Sequence, residues 1–240
     1  EALFQDCHDP YITFLTIIGF FGDGGKNTDI PKELLTRSLE SFPELVEMKP
    51  NPWRPGKFMM DIENFVSAFN TGKRMHWNGQ VPLELFKNID SIEPFIYNHH
   101  PLAQELQNYR KQLSSLYKKK FQVNDFGHCH VVKLDSPHNI QGVICMRYMD
   151  GKPIIVLNKR NGNMIGSMRV PDDLAFDCGA YLNTFTKKIP NAVGGGHEKA
   201  GGITFSIEHY DEFIRILKEK PKFSPNEHRQ INSSLMNSSL

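Results

Sequence analysis

The segment Gly194-Gly195-Gly196-His197-Glu198-Lys199-Ala200-Gly201-Gly202 concentrates residues that can do chemistry. Three successive glycines let a ligand come close to the backbone, and they can turn N–H groups inward as a nest for phosphate or carboxylate oxygen. His197 can add a hydrogen bond or a positive charge. Lys199 either does the same or sits in solvent. The plain alternative is a tight loop with a capping histidine. Upstream, Gly166-Ser167-Met168-Arg169 ends a predicted strand. A hydroxyl beside a fixed guanidinium fork suits a phosphate, although an ordinary surface arginine has the same signature.

Two further segments stand nearer the start. Asp23, in Gly22-Asp23-Gly24-Gly25, follows an apolar stretch, where a carboxylate can ligate a hard cation or serve turn chemistry. Ser67-Ala68-Phe69-Asn70-Thr71-Gly72-Lys73-Arg74 offers an amide and two cations, or simply a polar helix end. His128-Cys129-His130 invites a metal reading. On a strand, however, Cys129 points away from both histidines, so no local three-ligand site forms. His99-His100 reads as a helix cap and a surface residue.

The elements that must position these groups follow from pattern. Asp9-Pro10 starts a helix through Phe14, Ile17 and Ile18 that stops at the glycine-rich turn. Helices are expected over 31–42, 61–69 (helical or mixed) and 81–88, with an irregular proline-rich loop over 48–58. Leu102, Leu106, Tyr109, Leu113 and Leu116 form one stripe on a helix begun by Pro101, expected to connect two domains. After Phe121 the pattern predicts strands over 128–135, 140–149 and 153–159, the last two joined by a hairpin at Asp150-Gly151. A fourth strand ends at Arg169. Pro171 then opens a helix through Leu174, Cys178 and Phe185, the glycine-rich loop follows, and a strand over 203–207 and a helix over 210–218 complete the pattern. The Asn/Ser-rich tail reads as disordered.

The 240 residues carry 28 Lys/Arg and 27 Asp/Glu, which excludes a strongly basic nucleic-acid coat. The balance hides a split: residues 1–100 net −5 and residues 101–240 net +6. Four dispersed cysteines without a CxxC pair argue against a zinc ribbon or a disulfide framework and fit a reducing compartment, with a cytoplasmic location expected. The longest apolar run, Tyr11 to Phe21, is shorter than the ~20 residues that span a bilayer, so no membrane partner is expected. The start at Glu1 with EALFQDC reads as an excerpt of a longer protein or a tag remnant.

In this order the segments resemble the RecJ-like branch of the DHH phosphoesterase superfamily. VGGGHEKAGG resembles the GGGH motif of the DHH-associated domain, with GSMR at a suitable distance ahead. TIIGFFGDGG resembles the fourth motif, which ends in a metal-binding aspartate. SAFNTGKRM resembles the Asn-x-x-Gly-Arg stretch of RecJ-type nucleases, with Lys73 as an extra residue before Arg74. The first three motifs, Asp-His-His included, are not present, so the chain is expected to be a C-terminal portion of a longer protein, inactive alone. The implied fold is α/β: the C-terminal part of a DHH α/β domain over 1–97, a connector helix over 98–122, a smaller mixed-sheet DHH-associated domain over 123–222, and a tail over 223–240.

The resemblance implies a phosphodiester hydrolase using two divalent cations, manganese or magnesium. By similarity Asp23 is a metal ligand, Ser167 and Arg169 hold a phosphate, and Gly194, Gly195, Gly196 and His197 cradle the terminal nucleotide. Asn70 and Arg74 line the entry path. The acidic half then serves the metal and the basic half the phosphate. A RecJ-like exonuclease leads, with single-stranded DNA or RNA, or short oligonucleotides, as partners and replication or repair proteins as further ones. The alternatives are an oligoribonuclease, a small-nucleotide or cyclic-dinucleotide phosphodiesterase, a non-catalytic replication scaffold, and a transfer-RNA-binding appendage.

Overall fold

A computed structural model describes residues 9–22, 29–51, 55–77, 79–91, 93–96 and 99–219. Asp23, the turn around it, Cys7 and the tail lie outside them. The chain divides into two compact units, at Lys118/Lys119. Among the described residues no helix is long and apolar enough to cross a membrane.

The first unit is built on helix α1, Pro10–Gly22. Asp9 caps it: its carboxylate accepts the Tyr11 N–H at 2.8 Å. Phe14, Ile17, Ile18 and Phe21 are buried, so the helix runs through the core. Around it stand α2 (Lys32–Ser41), α3 (Pro43–Val46) and α4 (Asp61–Gly72), followed by α5 (Gln80–Lys87) and α6 (Glu93–Ile96). The segment expected to be irregular forms in part a two-stranded antiparallel ladder, β1 (Lys49–Pro50) with β2 (Phe58–Met59).

Helix α7, Pro101–Tyr117, begins with His100, whose Nδ1 accepts the Leu102 N–H at 3.1 Å. It packs on α4 and α5 within the first unit, burying Ala103, Leu106 and Leu113. The crossing needs Gly72, since a Cβ there would lie 2.5 Å from Pro82 Cγ and 2.6 Å from Leu106 Cδ2.

The second unit holds one six-stranded sheet, in the order β3-β4-β5-β6-β8-β7. Its strands are β3 (Val123–Asp125), β4 (His130–Leu134), β5 (Ile154–Arg160), β6 (Asn163–Arg169), β7 (Val193–Gly196) and β8 (Ala200–Ser206). Only β4 and β5 pair in parallel. That pairing needs a crossover, and helix α8 (Gln141–Tyr148) supplies it. The expected strand over 140–149 and the hairpin at Asp150-Gly151 are therefore overturned. Ile140, Ile144 and Cys145 are fully buried at helical spacing, and Gly151, at φ +61°, turns the chain from helix into β5.

Helices α9 (Cys178–Thr186) and α10 (Tyr210–Lys218) close the opposite face, over Leu157, Met164, Met168, Ile203 and Phe205. The helix expected from Pro171 starts only at Cys178. The Lys199 ammonium donates to the carbonyls of Pro171, at 3.3 Å, and Leu174. This holds residues 171–174 as a separate turn, and Asp177 caps α9 by accepting the Ala180 N–H at 2.8 Å.

Candidate nucleotide-binding site

The glycine-rich segment is not a nest-like loop. Val193–Gly196 is an edge strand, Ala200–Ser206 is its antiparallel neighbour, and His197–Lys199 is the turn between them. The His197 N–H closes this turn on the Ala200 carbonyl at 2.8 Å. The first amides of α9 grip it from the side, Cys178 N–H on the Glu198 carbonyl at 2.9 Å and Gly179 N–H on the His197 carbonyl at 3.2 Å. The side chain of His197 is exposed. The Lys199 ammonium is engaged by the carbonyls of the 171–174 turn, which gives it a structural task.

Gly195 and Gly196 sit at φ +154° and +152°, a backbone region that only glycine adopts readily. At Gly196 a Cβ would also fall 2.3 Å from the Ala200 carbonyl oxygen.

The sheet register joins this hairpin to the strand-end motif. Strand β8 lies between β6 and β7, so Ser167, Gly202 and Gly195 form one row across three strands. Arg169 pairs with Ala200 in the adjacent row. Adjacent strands lie ~4.8 Å apart, so the row from Ser167 to Gly195 spans about 10 Å without a side chain after the serine. Arg169 donates through Nη1 to Ser167 Oγ at 3.1 Å and to the Met168 carbonyl at 2.7 Å. Gly142, near the start of α8, adjoins both: a Cβ there would sit in ordinary contact, 3.5 Å from Arg169 Nη2 and 3.8 Å from Ser167 Oγ.

Beside the clamp Cys145 of α8 is buried, its thiol pointing at the Ser167 carbonyl at 3.2 Å. Burial pushes the thiols of Cys129, Cys145 and Cys178 up to about 12, with Arg169 partly offsetting the shift at the last two. All three are free and buried, hence poor nucleophiles.

In the first unit, Asn70 and Arg74 line one cleft of about 280 Å³ with Glu63, Ser67 and the α1 end at Phe21 and Gly22. Residues 63, 67, 70 and 74 recur at helical spacing along α4 and the turn that follows it. The Glu63 carboxylate accepts the Met60 N–H at 3.1 Å, fixing the start of the helix. Arg74 lies beside Tyr117, whose phenol burial raises in pKa and the guanidinium partly lowers. Ser67 and Glu63, which sequence reasoning did not name as site residues, were detectable from their spacing to Asn70.

His128, Cys129 and His130 go to separate partners. His128 Nε2 meets the Tyr181 hydroxyl at 2.8 Å, Cys129 is buried, and His130 lies 3.7 Å from the Asp125 carboxylate. Among the described residues no group of three or more His, Cys, Asp or Glu side chains is placed to hold a metal ion. These residues alone do not fit a metal centre, and no step through a metal follows from them.

No protein-family model matches the chain. A putative BTB/POZ domain-containing protein of Acanthamoeba polyphaga mimivirus is 28% identical over 132 residues, covering 53% of this chain and 24% of that protein. A solved DHH domain from a member of a ribosomal-protein family superposes with a TM-score of 0.54 at 17% identity, over 88% of this chain and 50% of that one. The fold is that of DHH-domain proteins. RecJ from Thermus thermophilus, solved with Mg2+, superposes with a TM-score of 0.51 at 16% identity, over 66% of this chain and 25% of that one. At these identities the likeness is one of fold, and the chain spans a quarter to a half of the length of these three proteins.

Proposed function

We propose that this DHH-fold chain is part of a metal-dependent phosphodiester hydrolase, a RecJ-like exonuclease acting on single-stranded nucleic acid. Ser167 and Arg169 hold the terminal phosphate. Gly194, Gly195, Gly196 and His197 form the cradle beside it, Asn70 and Arg74 line the path of the strand, and Asp23 ligates manganese or magnesium. The observation that supports this reading best is the register placing Ser167 in one row with Gly202 and Gly195, with Arg169 in the row beside it. A guanidinium fork next to a floor without Cβ atoms suits a phosphate carrying a flat group.

Two measurements test the proposal. Arg169→Ala is expected to weaken binding of a phosphorylated nucleotide by more than about tenfold, since a hydrogen bond to a charged group contributes ~1.5–3 kcal/mol. Unchanged affinity would remove the phosphate assignment. The protein extended through its flanking sequence, assayed on long single strands and on dinucleotides, should prefer the long strands. Preference for dinucleotides would replace the exonuclease reading by a small-nucleotide phosphodiesterase.

A further inference from the structure

The row of the sheet beyond the glycine floor carries the pair Thr204 and Val193, on β8 and β7. Thr204 also pairs with Ile165 on β6, so these three share the face of Ser167 and Gly202. The opposite face is fixed independently: Ile203 and Phe205 lie in the core under α9 and α10, and a Cβ on Gly194 would meet Thr186 of α9. Val193 is 73% exposed, the most exposed of the large apolar side chains among the described residues. Thr204 is half-buried, and its hydroxyl makes no hydrogen bond among those residues. An apolar side chain and an uncommitted hydroxyl thus stand side by side at the end of a bare floor.

Their distance from the phosphate clamp identifies what they would touch. Thr204 stands two residues along and one strand over from Ser167. At ~3.4 Å per residue and ~4.8 Å between strands, that is about 8 Å, and Val193, one strand further, stands about 12 Å away at the far edge of the base. The shorter distance is the reach from a nucleotide's phosphate to its base, with the flat ring lying over glycine peptides that offer no Cβ.

We infer that Val193 and Thr204 form the wall against which the base of the terminal nucleotide rests, and that they set how much the base adds to binding. The inference rests on the phosphate reading of Ser167 and Arg169. Val193 packs on the ring and Thr204 donates to or accepts from its edge. One rotatable hydroxyl suits either kind of edge group, so the subsite takes a nucleotide without demanding a particular base.

The test compares adenosine monophosphate with ribose phosphate, which lacks the base, by NMR titration of the 240-residue chain. Adenosine monophosphate should bind the unaltered chain about tenfold more tightly, the worth of some ~50 Å² of apolar surface. Val193→Ser should erase most of that advantage while leaving ribose phosphate affinity unchanged, and Thr204→Val should reduce it about threefold. Arg169→Ala should weaken both ligands. If Arg169→Ala weakens both but neither wall variant changes the ratio, the base wall is wrong and the phosphate site stands. If Arg169→Ala weakens neither, or the unaltered chain binds neither ligand at millimolar concentration, both readings fall. Both wall positions are incompletely buried, and circular dichroism of each variant confirms that the sheet is retained.

Discussion

Gly179→Ala separates what helix propensity expects from what the tertiary structure requires. Gly179 is the second residue of α9, and alanine in a helix is ordinarily favoured over glycine by up to about 1 kcal/mol. Here the added Cβ would lie 2.4 Å from the Gly196 carbonyl oxygen, 3.0 Å from its carbon and 3.3 Å from its nitrogen. All three are backbone atoms of β7, so no side-chain rotation relieves the overlap. Either α9 or the glycine hairpin must shift by roughly 1 Å, and overpacking of that kind costs ~1–3 kcal/mol. The net expectation is a loss of about 1–2 kcal/mol, opposite in sign to propensity. Hydrogen exchange at the β7, β8 and α9 amides, with urea denaturation of the whole chain, reads the change. Nucleotide affinity should fall with it, because the proposed cradle is built on the same hairpin. Gly142→Ala is the control: it is also helical, and its Cβ would meet only ordinary contacts at 3.5 Å and beyond. It should be neutral or stabilising. If Gly179→Ala is as stable as the unaltered chain, the close approach of α9 to β7 is wrong.

Lys199→Met removes the donor to the Pro171 and Leu174 carbonyls and should cost the second unit about 2 kcal/mol in urea denaturation, with phosphate binding retained. Lost binding at unchanged stability would make Lys199 a ligand instead. Arg74→Ala should weaken binding of a single-stranded oligonucleotide and lower the slope of log affinity against log salt by about one, an unchanged slope removing Arg74 from the path. The thiols of Cys129, Cys145 and Cys178 rise from 9.0 to about 12 on folding, so the folded state keeps protons that the unfolded state loses. The stability they contribute is complete below about pH 9, falls as pH rises toward about 12, and should fall less steeply in the Cys129→Ala, Cys145→Ala, Cys178→Ala variant.

Local signals carried the elements whose partners are near in sequence. Asp9-Pro10 marked the start of α1, and His100-Pro101 marked that of α7, because a cap and the amide it satisfies lie within a few residues. The misreading of α8 has a different origin. Gly142, Val143, Ile144, Cys145 and Met146 form a short apolar run that suits a buried strand as well as a buried helix. What decides between them is the parallel pairing of β4 with β5, a contact between strands that requires a crossover. The site shows the same division. Ser167, Arg169 and the glycines were visible as separate motifs, but their alignment across the sheet depends on β8 inserting between β6 and β7. Lys199 was ambiguous because the carbonyls it binds belong to residues 28 and 25 positions earlier.

Strand parity assigns the glycines of the hairpin two different tasks, and this yields a sharper expectation than the motif alone. Gly194 and Gly201 face α9: a Cβ on Gly194 would meet Thr186, and one on Gly201 would lie 2.8 Å from Cys178 Sγ and 2.8 Å from Leu182 Cδ1, and 2.7 Å from the Gly195 carbonyl oxygen. Gly202 shares the row of Ser167, and its Cβ would approach nothing nearer than the Gly166 carbonyl oxygen at 3.4 Å. Gly201→Ala should therefore destabilise the second unit by ~1–3 kcal/mol, since helix and hairpin must separate to admit it. Gly202→Ala should leave stability within about 1 kcal/mol of the unaltered chain and still weaken nucleotide binding, because the methyl group stands on the floor where the ring would lie. Neighbouring residues with identical side chains would then fail in opposite ways, one in denaturation and one in titration. If Gly202→Ala binds nucleotide normally, the glycine floor serves packing alone, and the ligand site must be sought elsewhere on the sheet.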